Sequence, residues 1–491
     1  MNEMVLDSNR IKNEEVGFVT RAKGYLLALE GLPSIKVNDF LVDEQGNYAM
    51  VRSLGHDQVV ALSFGGQVRP GDRYRALRDN RHYSLGEHLF GRVMNALGDP
   101  VDGGELFPEG NASLKLEVDA TGIEGRVSID KQLQTGITLV DTLVPIAKGQ
   151  RQLIYGPMHS GKSTFLTDLV LHQGTQDVVC IYTVIGKPIN GLRKITDTIL
   201  GKGYSGQKVV VIAGLSDEPA PVISLVPAVA YLVAEYFSAR GEDVLIVLDD
   251  LDAHAKYLRE IALLEGRLPS TESYPGDIFY QHAHLMERSG QFDSVLGGGS
   301  ITTLPVIQTN LKNFSDLIPT NLMACTDGHL SFLPDMRAEG VYPSIGYEES
   351  VTRVGRRSQC RLQKEISTRV QILLGEYRQQ QEYAEFSSTL SEYTKKLLKQ
   401  GDILKVMLRQ EPYQPISLEA QMILLGLAFT SFAISYDPAR LEKAKSALQV
   451  AVSGSEQFKS LREIVFTDIG LDEFVSKLES LQTYFDSVCQ P

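Results

Sequence analysis

Nine residues, Gly156, Pro157, Met158, His159, Ser160, Gly161, Lys162, Ser163 and Thr164, match the spacing G-x4-G-K-[ST]. This is the pattern of a loop that cradles phosphate. Glycine at 156 and 161 lets main-chain N–H groups converge on phosphate oxygens with no Cβ in the way, and a helix starting behind the loop adds partial positive charge. Lys162 then reaches the β- and γ-phosphates, and the Ser163 hydroxyl reaches Mg²⁺. His159 could donate to a phosphate oxygen, although variable positions of such a loop usually face outward. Downstream, VLIVLDD, Val244 to Asp250, is an apolar run ending in two carboxylates. Asp249 suits the second Mg²⁺-ordering position, which acts through water. Alone, such a run equally describes a strand-to-loop cap; with the phosphate loop it forms a pair, and together they predict binding of Mg²⁺ with ATP or ADP.

These residues need elements to hold them. Gln152 to Tyr155 predicts a strand leading into the loop, and Phe165, Leu166, Leu169 and Val170 give the following helix an apolar stripe. Val178 to Val184, Val209 to Ala213 and Val244 to Leu248 are too hydrophobic for half-solvated strands and read as central strands of a parallel α/β sheet. Before them, from Val16 to about Ala76, short β-like runs separated by Gly24, Gly46, Gly55, Gly65 and Pro70-Gly71 predict a small closed β-barrel. Past Cys360, Leu362, Ile366, Val370, Leu373, Leu374 and Tyr377 share one helical face, and further amphipathic segments follow, so the C-terminal part predicts a helical bundle. The expected layout is an N-terminal segment at 1–15, a barrel at 16–83, a nucleotide-binding α/β domain at 84–359 and a helical domain at 360–491.

Composition narrows the function. With 48 basic and 61 acidic residues the 491-residue chain carries a formal charge of −13, which disfavours a general nucleic-acid binder. The apolar stretches Val222 to Ala234, broken by Pro227, and Met422 to Ile434 are shorter than the ~20 residues that span a bilayer. No membrane span is expected. The acidic N-terminus, with Glu3, Asp7, Glu14 and Glu15, reads as neither a secretory signal nor a transit peptide. Cys180, Cys325, Cys360 and Cys489 are scattered with no CxxC, so neither a disulfide framework nor a zinc site is expected.

Across nearly its whole length the chain resembles the alpha subunit of F-type rotary ATP synthases. The segments that carry the resemblance are GRVMNALGDPVDG from Gly91, QTGITLVDTLVPIAKGQRQLIYG from Gln134, SYPGDIFYQHAHLMERSG from Ser273, GGGSITTLPVIQT from Gly297, IPTNLMACTDGHL from Ile318, SVTRVGRRSQ from Ser350 and LRQEPYQPISLEAQ from Leu408. The IPTN…TDG and SV-[ST]-RVG segments separate alpha from its catalytic beta paralogue. The resemblance implies a central RecA-like domain between the barrel and the helices. It implies beta-type catalytic subunits as partners in an alternating hexamer around a central gamma-type stalk, with peripheral-stalk subunits possible and the membrane met only through the ion-translocating sector. A peripheral place on the cytoplasmic face of a bacterial inner membrane follows. Arg353 aligns with the arginine that alpha extends into the beta site to meet charge on the transferring phosphoryl group, with Ser350 shaping the same motif; the plainer alternatives are a surface arginine beside Arg356 and Arg357 and a loop hydroxyl.

The chain departs from that pattern at informative places. After the strand that CIYTVI forms, beta subunits carry Gly-Glu, whose carboxylate holds the attacking water, and alpha subunits carry Gln; here Gly186-Lys187 stands there. A protonated lysine neither accepts a proton from water nor orients it as a carboxylate does, so the site is expected to bind nucleotide without turning it over. Lys187 either adds a cation near the γ-phosphate or points to solvent. In the base pocket, Tyr342 replaces the usual Arg and offers a ring face for adenine or serves as a core or interface tyrosine, Pro412 replaces a Gln, and Gln410 keeps its family position. Two other readings stay open: a homohexameric RecA-like export or secretion ATPase, which would need its own water-positioning group, and a structural paralogue outside a rotary complex. Rho-type RNA translocation is disfavoured, since no aromatic-basic patch accompanies the acidic composition.

Overall fold

The computed structural model describes residues 15–77, 81–114, 116, 118–201, 207–267, 274–309, 316–386 and 391–489. The expected N-terminal segment lies outside them except for Glu15, as does the side chain of Cys489. The chain divides into two compact units, Met1–Arg126 with Val178–Ile307 and Asn313–Cys325, and Val127–Asp177 with Gln308–Lys312 and Thr326–Pro491.

In the first unit six antiparallel strands close a barrel: Val16–Lys23, Leu26–Glu30, Phe40–Asp43, Tyr48–Leu54, Val59–Ser63 and Arg73–Ala76, with the second next to the fifth and the sixth between the third and the first. Alternation sends Val19, Leu27, Leu29, Leu41, Val51, Ala61 and Tyr74 inward, and closure leaves no unpaired edge. The last strand, RYRA, alternates charge with apolar side chains, and only Tyr74 and Ala76 are buried. The same unit holds parallel strands in the order Ser300–Gln308, Asp243–Asp249, Val179–Lys187, Val209–Leu215 and Arg92–Asn95. The first four are buried over nearly their whole length, as continuous apolar runs require when both sheet faces are covered.

One helix of this unit corrects the reading of the longest apolar stretch. Ala220–Ser238 runs through Pro227 without ending, and its 19 residues make it long and apolar enough to cross a membrane by length and composition. It lies instead against the strands Val179–Lys187, Val209–Leu215 and Asp243–Asp249, and 72% of its apolar window is buried.

The second unit contains the strand Gln152–Gly156, parallel to Gly328–Phe332, which pairs antiparallel with Ile345–Thr352. The helix Lys162–Gln173 follows the first of these strands. Among the described residues seven further helices, Arg361–Phe386, Glu392–Leu408, Leu418–Leu427, Pro438–Gly454, Lys459–Ile464, Leu471–Glu479 and Gln482–Cys489, make up most of the C-terminal part. Ser391 and Ser417 cap two of them by accepting the N–H of Thr394 and Ala420. The face read from Leu362 to Tyr377 is buried at all six positions, so its helical period was the true one.

Candidate functional site: a phosphate loop, a paired carboxylate and a displayed arginine

The phosphate loop takes its shape from the second unit. Gln152–Gly156 is fully buried, and the chain then turns through Gly156, at φ 154°, and Gly161, at φ 101°, into the helix that begins at Lys162. A Cβ on Gly156 would sit 2.6 Å from the Phe332 carbonyl oxygen, and one on Gly161 would sit 2.6 Å from Ser344 Oγ, so both positions exclude any side chain. Ser344 donates its hydroxyl to the Ser160 carbonyl, and Ser160 donates to the Pro157 carbonyl at 2.8 Å. These bonds fix the loop from inside. Lys162 is buried, and its ammonium donates to the carbonyls of Gly156 at 2.7 Å and Pro157 at 2.6 Å, which places the charge inside the curve of the loop. Met158, His159 and Ser163 are exposed and Thr164 is half-buried. No side chain caps the N-terminus of the helix, so its first N–H groups retain their partial positive charge.

Tyr342 and Gln410 lie in the same unit, and both are buried. The Tyr342 hydroxyl donates to Asp168 Oδ2, whose other oxygen accepts the Tyr413 N–H at 2.8 Å. Burial raises the Asp168 carboxyl to about 6 against these two hydrogen bonds, and burial with the neighbouring carboxylate holds the Tyr342 phenol well above its ordinary value. Gln410 accepts the Thr138 N–H at 3.2 Å and donates to the carbonyls of Gly136 and Gln414 at 2.8 and 2.7 Å, while its own N–H donates to the Tyr342 carbonyl. The glutamine therefore ties three stretches of chain to the tyrosine, and its amide has no capacity left for a base. Tyr342 is among the residues that line a cavity of about 390 Å³, with Leu333, Val341 and Leu374. Asp168 and Tyr413 were not singled out from the sequence. An aspartate set among Leu166, Thr167, Leu169 and Val170 was the available signal.

Asp249 lies in the first unit, at the buried end of its strand. Its Oδ2 accepts the Tyr182 hydroxyl at 2.8 Å and forms an ion pair with the Lys187 ammonium. Lys187 thus points neither to solvent nor to a free position: it neutralises the carboxylate. Next to it, Asp250 accepts the Ala253 N–H at 2.6 Å and caps the helix Leu251–Leu264. Burial raises the Asp250 carboxyl to about 6, against that hydrogen bond and the nearby Lys187 charge. The expected Mg²⁺ donors are therefore unequal. The Ser163 hydroxyl is exposed and free to meet the ion directly, whereas Asp249 shares its Oδ2 between a cation and a phenol.

Arg353 follows the strand Ile345–Thr352 and is held by its backbone alone. Its N–H donates to the Asp327 carbonyl at 3.0 Å, and Asp327 receives both guanidinium arms of Arg151. Thr352 donates to the Pro145 carbonyl at 2.9 Å and accepts the Gly355 N–H at 3.1 Å. The Arg353 guanidinium is exposed and makes no hydrogen bond or ion pair among the described residues. Its charge acts on His329, whose ring burial chiefly keeps neutral. Ser350 donates to the Gly346 carbonyl at 2.5 Å and accepts the Ser331 N–H at 3.0 Å, so its hydroxyl braces the strand pair that leads to Arg353.

Comparison with known proteins agrees with this geometry. Residues 136–352 match the model of the ATP synthase alpha/beta family, nucleotide-binding domain, and residues 359–482 match that of the ATP synthase alpha/beta chain, C terminal domain. The chain is 37% identical over 441 residues to ATP synthase subunit alpha of Lactobacillus delbrueckii subsp. bulgaricus, covering 89% of this chain and 87% of that protein. To ATP synthase subunit alpha of Clostridium acetobutylicum it is 34% identical over 443 residues, covering 90% and 87%.

Proposed function

Because the chain belongs to the ATP synthase alpha/beta family, among its alpha subunits, we propose that it is the nucleotide-binding, non-catalytic member of an F-type ring and completes a neighbour's active site. The observation that carries this reading is Lys187. Where a catalytic subunit needs a carboxylate to handle the attacking water, this chain has an ammonium that is already paired with Asp249. ATP or ADP binds the loop from Gly156 to Thr164, with Lys162 and the main-chain N–H groups on the phosphates, and Tyr342 lends its ring to the base. Mg²⁺, where it accompanies the nucleotide, meets Ser163. Gln410 and Asp168 hold Tyr342 in place.

Arg353 acts in trans. A guanidinium on a braced backbone, with no partner among the described residues of its own chain, suits charge developing on a phosphoryl group in the adjoining beta-type subunit. Ser350 positions it. Alternation with beta-type subunits around a gamma-type stalk, a peripheral place at the membrane through the ion-translocating sector, and coupling of ATP synthesis to ion transport complete the proposal. A homohexameric export ATPase is disfavoured by the same lysine, since six identical copies would lack any water-positioning carboxylate at this place.

Native mass spectrometry and ATPase assays on the chain alone and with its partners test the reading. The expected result is an inert isolated chain and an active mixed ring. Robust turnover by the chain alone, or a ring of six identical copies, overturns it.

A further inference from the structure

We propose that Lys445 is a positioning residue for the base pocket: its ammonium fixes the segment that holds Tyr342, and so governs affinity for the base of a nucleotide and not for its phosphates. The inference rests on the nucleotide-binding reading above and adds to it what keeps Tyr342 in place. Lys445 lies in the helix Pro438–Gly454 of the second unit and is buried. Its ammonium is met by carbonyls rather than by a carboxylate: those of Val406 at 2.6 Å, Met407 at 3.3 Å and Arg409. The donors of an ammonium are matched in full. Glu442 of the same helix instead meets Arg409, at 3.2 Å. A buried ammonium needs compensation of this kind, and a helix C-terminus supplies it, because its last carbonyls lack helical partners and carry partial negative charge. The helix Glu392–Leu408 ends there. The Arg409 N–H takes the Lys405 carbonyl at 3.1 Å, and Lys445 takes the carbonyls of Val406 and Met407 that follow. Burial lowers the ammonium to about 8, with Glu442 and Glu411 acting against the shift and Arg409 with it, so the group is charged at pH 7.

The contact with Arg409 leads directly to the tyrosine. The Arg409 carbonyl and the Gln410 N–H belong to one planar peptide unit, and that N–H donates to the Tyr342 carbonyl at 2.8 Å. Lys445 thus grips one side of the peptide whose other side holds Tyr342, and the two hydrogen bonds polarise each other. Farther along the same segment, the Tyr413 N–H donates to Asp168 Oδ1 at 2.8 Å, while Asp168 Oδ2 accepts the Tyr342 hydroxyl. One short stretch of chain therefore sets both the backbone and the hydroxyl of the tyrosine. It needs anchoring, since Tyr413 has φ 63°, in the left-handed region that a residue with a Cβ occupies only where its surroundings hold it. Remove the ammonium, and buried carbonyls at the helix end lose their donor. Tyr342 is then correctly posed in only a fraction of the molecules, and the apparent affinity for a ligand that needs the pose falls by that fraction.

The test is binding of ATP and of inorganic tripolyphosphate to the full-length chain by isothermal titration calorimetry. Lys445→Met keeps an apolar stem and removes the donors. It should weaken ATP about tenfold and leave tripolyphosphate within about twofold, a split that general loosening of the fold would not produce. In a Tyr342→Ala background the same substitution should add at most about twofold, because the lysine acts through the tyrosine. Equal losses for the two ligands, an unchanged ATP affinity in Lys445→Met, or a tenfold loss that persists without the Tyr342 ring overturns the proposal. Hydrogen exchange of the native chain decides the matter even if Lys445→Met does not fold: ATP should slow exchange both at 406–413 and around Lys445, and tripolyphosphate at neither. Slowing at 406–413 with none around Lys445 overturns the proposal. Two other results remove the reading beneath it, and the proposal with it: ATP affinity that Tyr342→Ala leaves unchanged takes away the base site, and a native chain that binds neither ligand takes away nucleotide binding itself.

Discussion

Replacing Tyr342 with phenylalanine separates two roles of one side chain. The ring is kept; the hydroxyl that donates to Asp168 is lost. A hydrogen bond to an ionised acceptor contributes about 1.5–3 kcal/mol, and one to a neutral acceptor about 0.5–1.5 kcal/mol. Which applies depends on pH. The Asp168 carboxyl is raised from its ordinary 3.8 to about 6 in the fold. The native state therefore binds this proton more readily than the unfolded chain does, and the group's contribution to stability declines as pH rises from about 4 to about 6. Above pH 7 the native carboxylate is ionised and the lost phenol costs about 2 kcal/mol; near pH 5 it is mostly protonated and the loss is about 1 kcal/mol. In the second unit, of roughly 220 residues, the larger figure corresponds to a melting-temperature drop of about 4–8 °C. Differential scanning calorimetry of native chain and Tyr342→Phe at both pH values measures it, and ATP titration reads the ring. The expected pattern is a larger destabilisation at the higher pH with ATP affinity within about twofold. Equal destabilisation at both pH values, or a tenfold loss of ATP affinity, would refute the separation of hydroxyl and ring.

Arg353→Ala should lower the ATPase rate of a mixed ring by about 10³-fold or more while assembly and nucleotide binding persist; failure to assemble would make the arginine structural. Gly161→Ala places a methyl 2.6 Å from Ser344 Oγ at φ 101°, so ATP affinity should fall at least about tenfold, and adding Ser344→Ala should restore it only in part. In the first unit His254 and His282 are buried, with ring pKa values lowered by burial to about 4 and about 3. Their folded values lie below the ordinary 6.5, so the stability they hold is complete above pH 6.5 and is lost as pH falls toward 4. Asp250, raised to about 6, gains stability over part of the same interval and offsets about one of the two histidines. Burial also raises the Glu218 carboxyl, so urea denaturation followed in this unit should show stability falling by at most about 1.4 kcal/mol per pH unit from 6 to 4, and a rising profile there would contradict the burial of the histidine pair.

How much of this was legible depended on whether a function lives in the backbone or between side chains. The shape of the loop from Gly156 to Gly161 was readable, because its turn demands glycine where Phe332 and Ser344 crowd in, and glycine at fixed spacing is visible in a sequence. The buried strands were readable from continuous apolar runs. The continuation of a helix through Pro227 ran against the ordinary effect of proline. The partners of Asp249 and Asp168 could not be read at all. Tyr182 and Lys187 reach Asp249 only because two parallel strands align Val184 with Asp249 and a slip follows at Gly186. Tyr342 stands 174 residues from the carboxylate that it meets.

Those hidden contacts explain why this chain would act on a neighbour. The two cations of the proposed phosphate chemistry, Lys187 and Arg353, are held differently. Lys187 is bound to a carboxylate of its own unit and sheltered with it, so its charge is cancelled where it stands. Arg353 is braced through Asp327, Pro145 and Ser350 by atoms other than its guanidinium, which stays exposed. Bracing a backbone while leaving the charged tip uncommitted fixes its position at little cost to later binding, since few contacts must be broken before it meets an anion. On the proposed function, a chain arranged in this way would retain nucleotide without a group to activate water and would have a positive charge to offer elsewhere. Reversing the charge at Lys187 is then the sharpest perturbation: Lys187→Glu should not create turnover in the isolated chain, because the new carboxylate would face Asp249 and repel it. ATPase activity in that isolated variant would mean that the pairing of Lys187 with Asp249 does not govern the chemistry of this site.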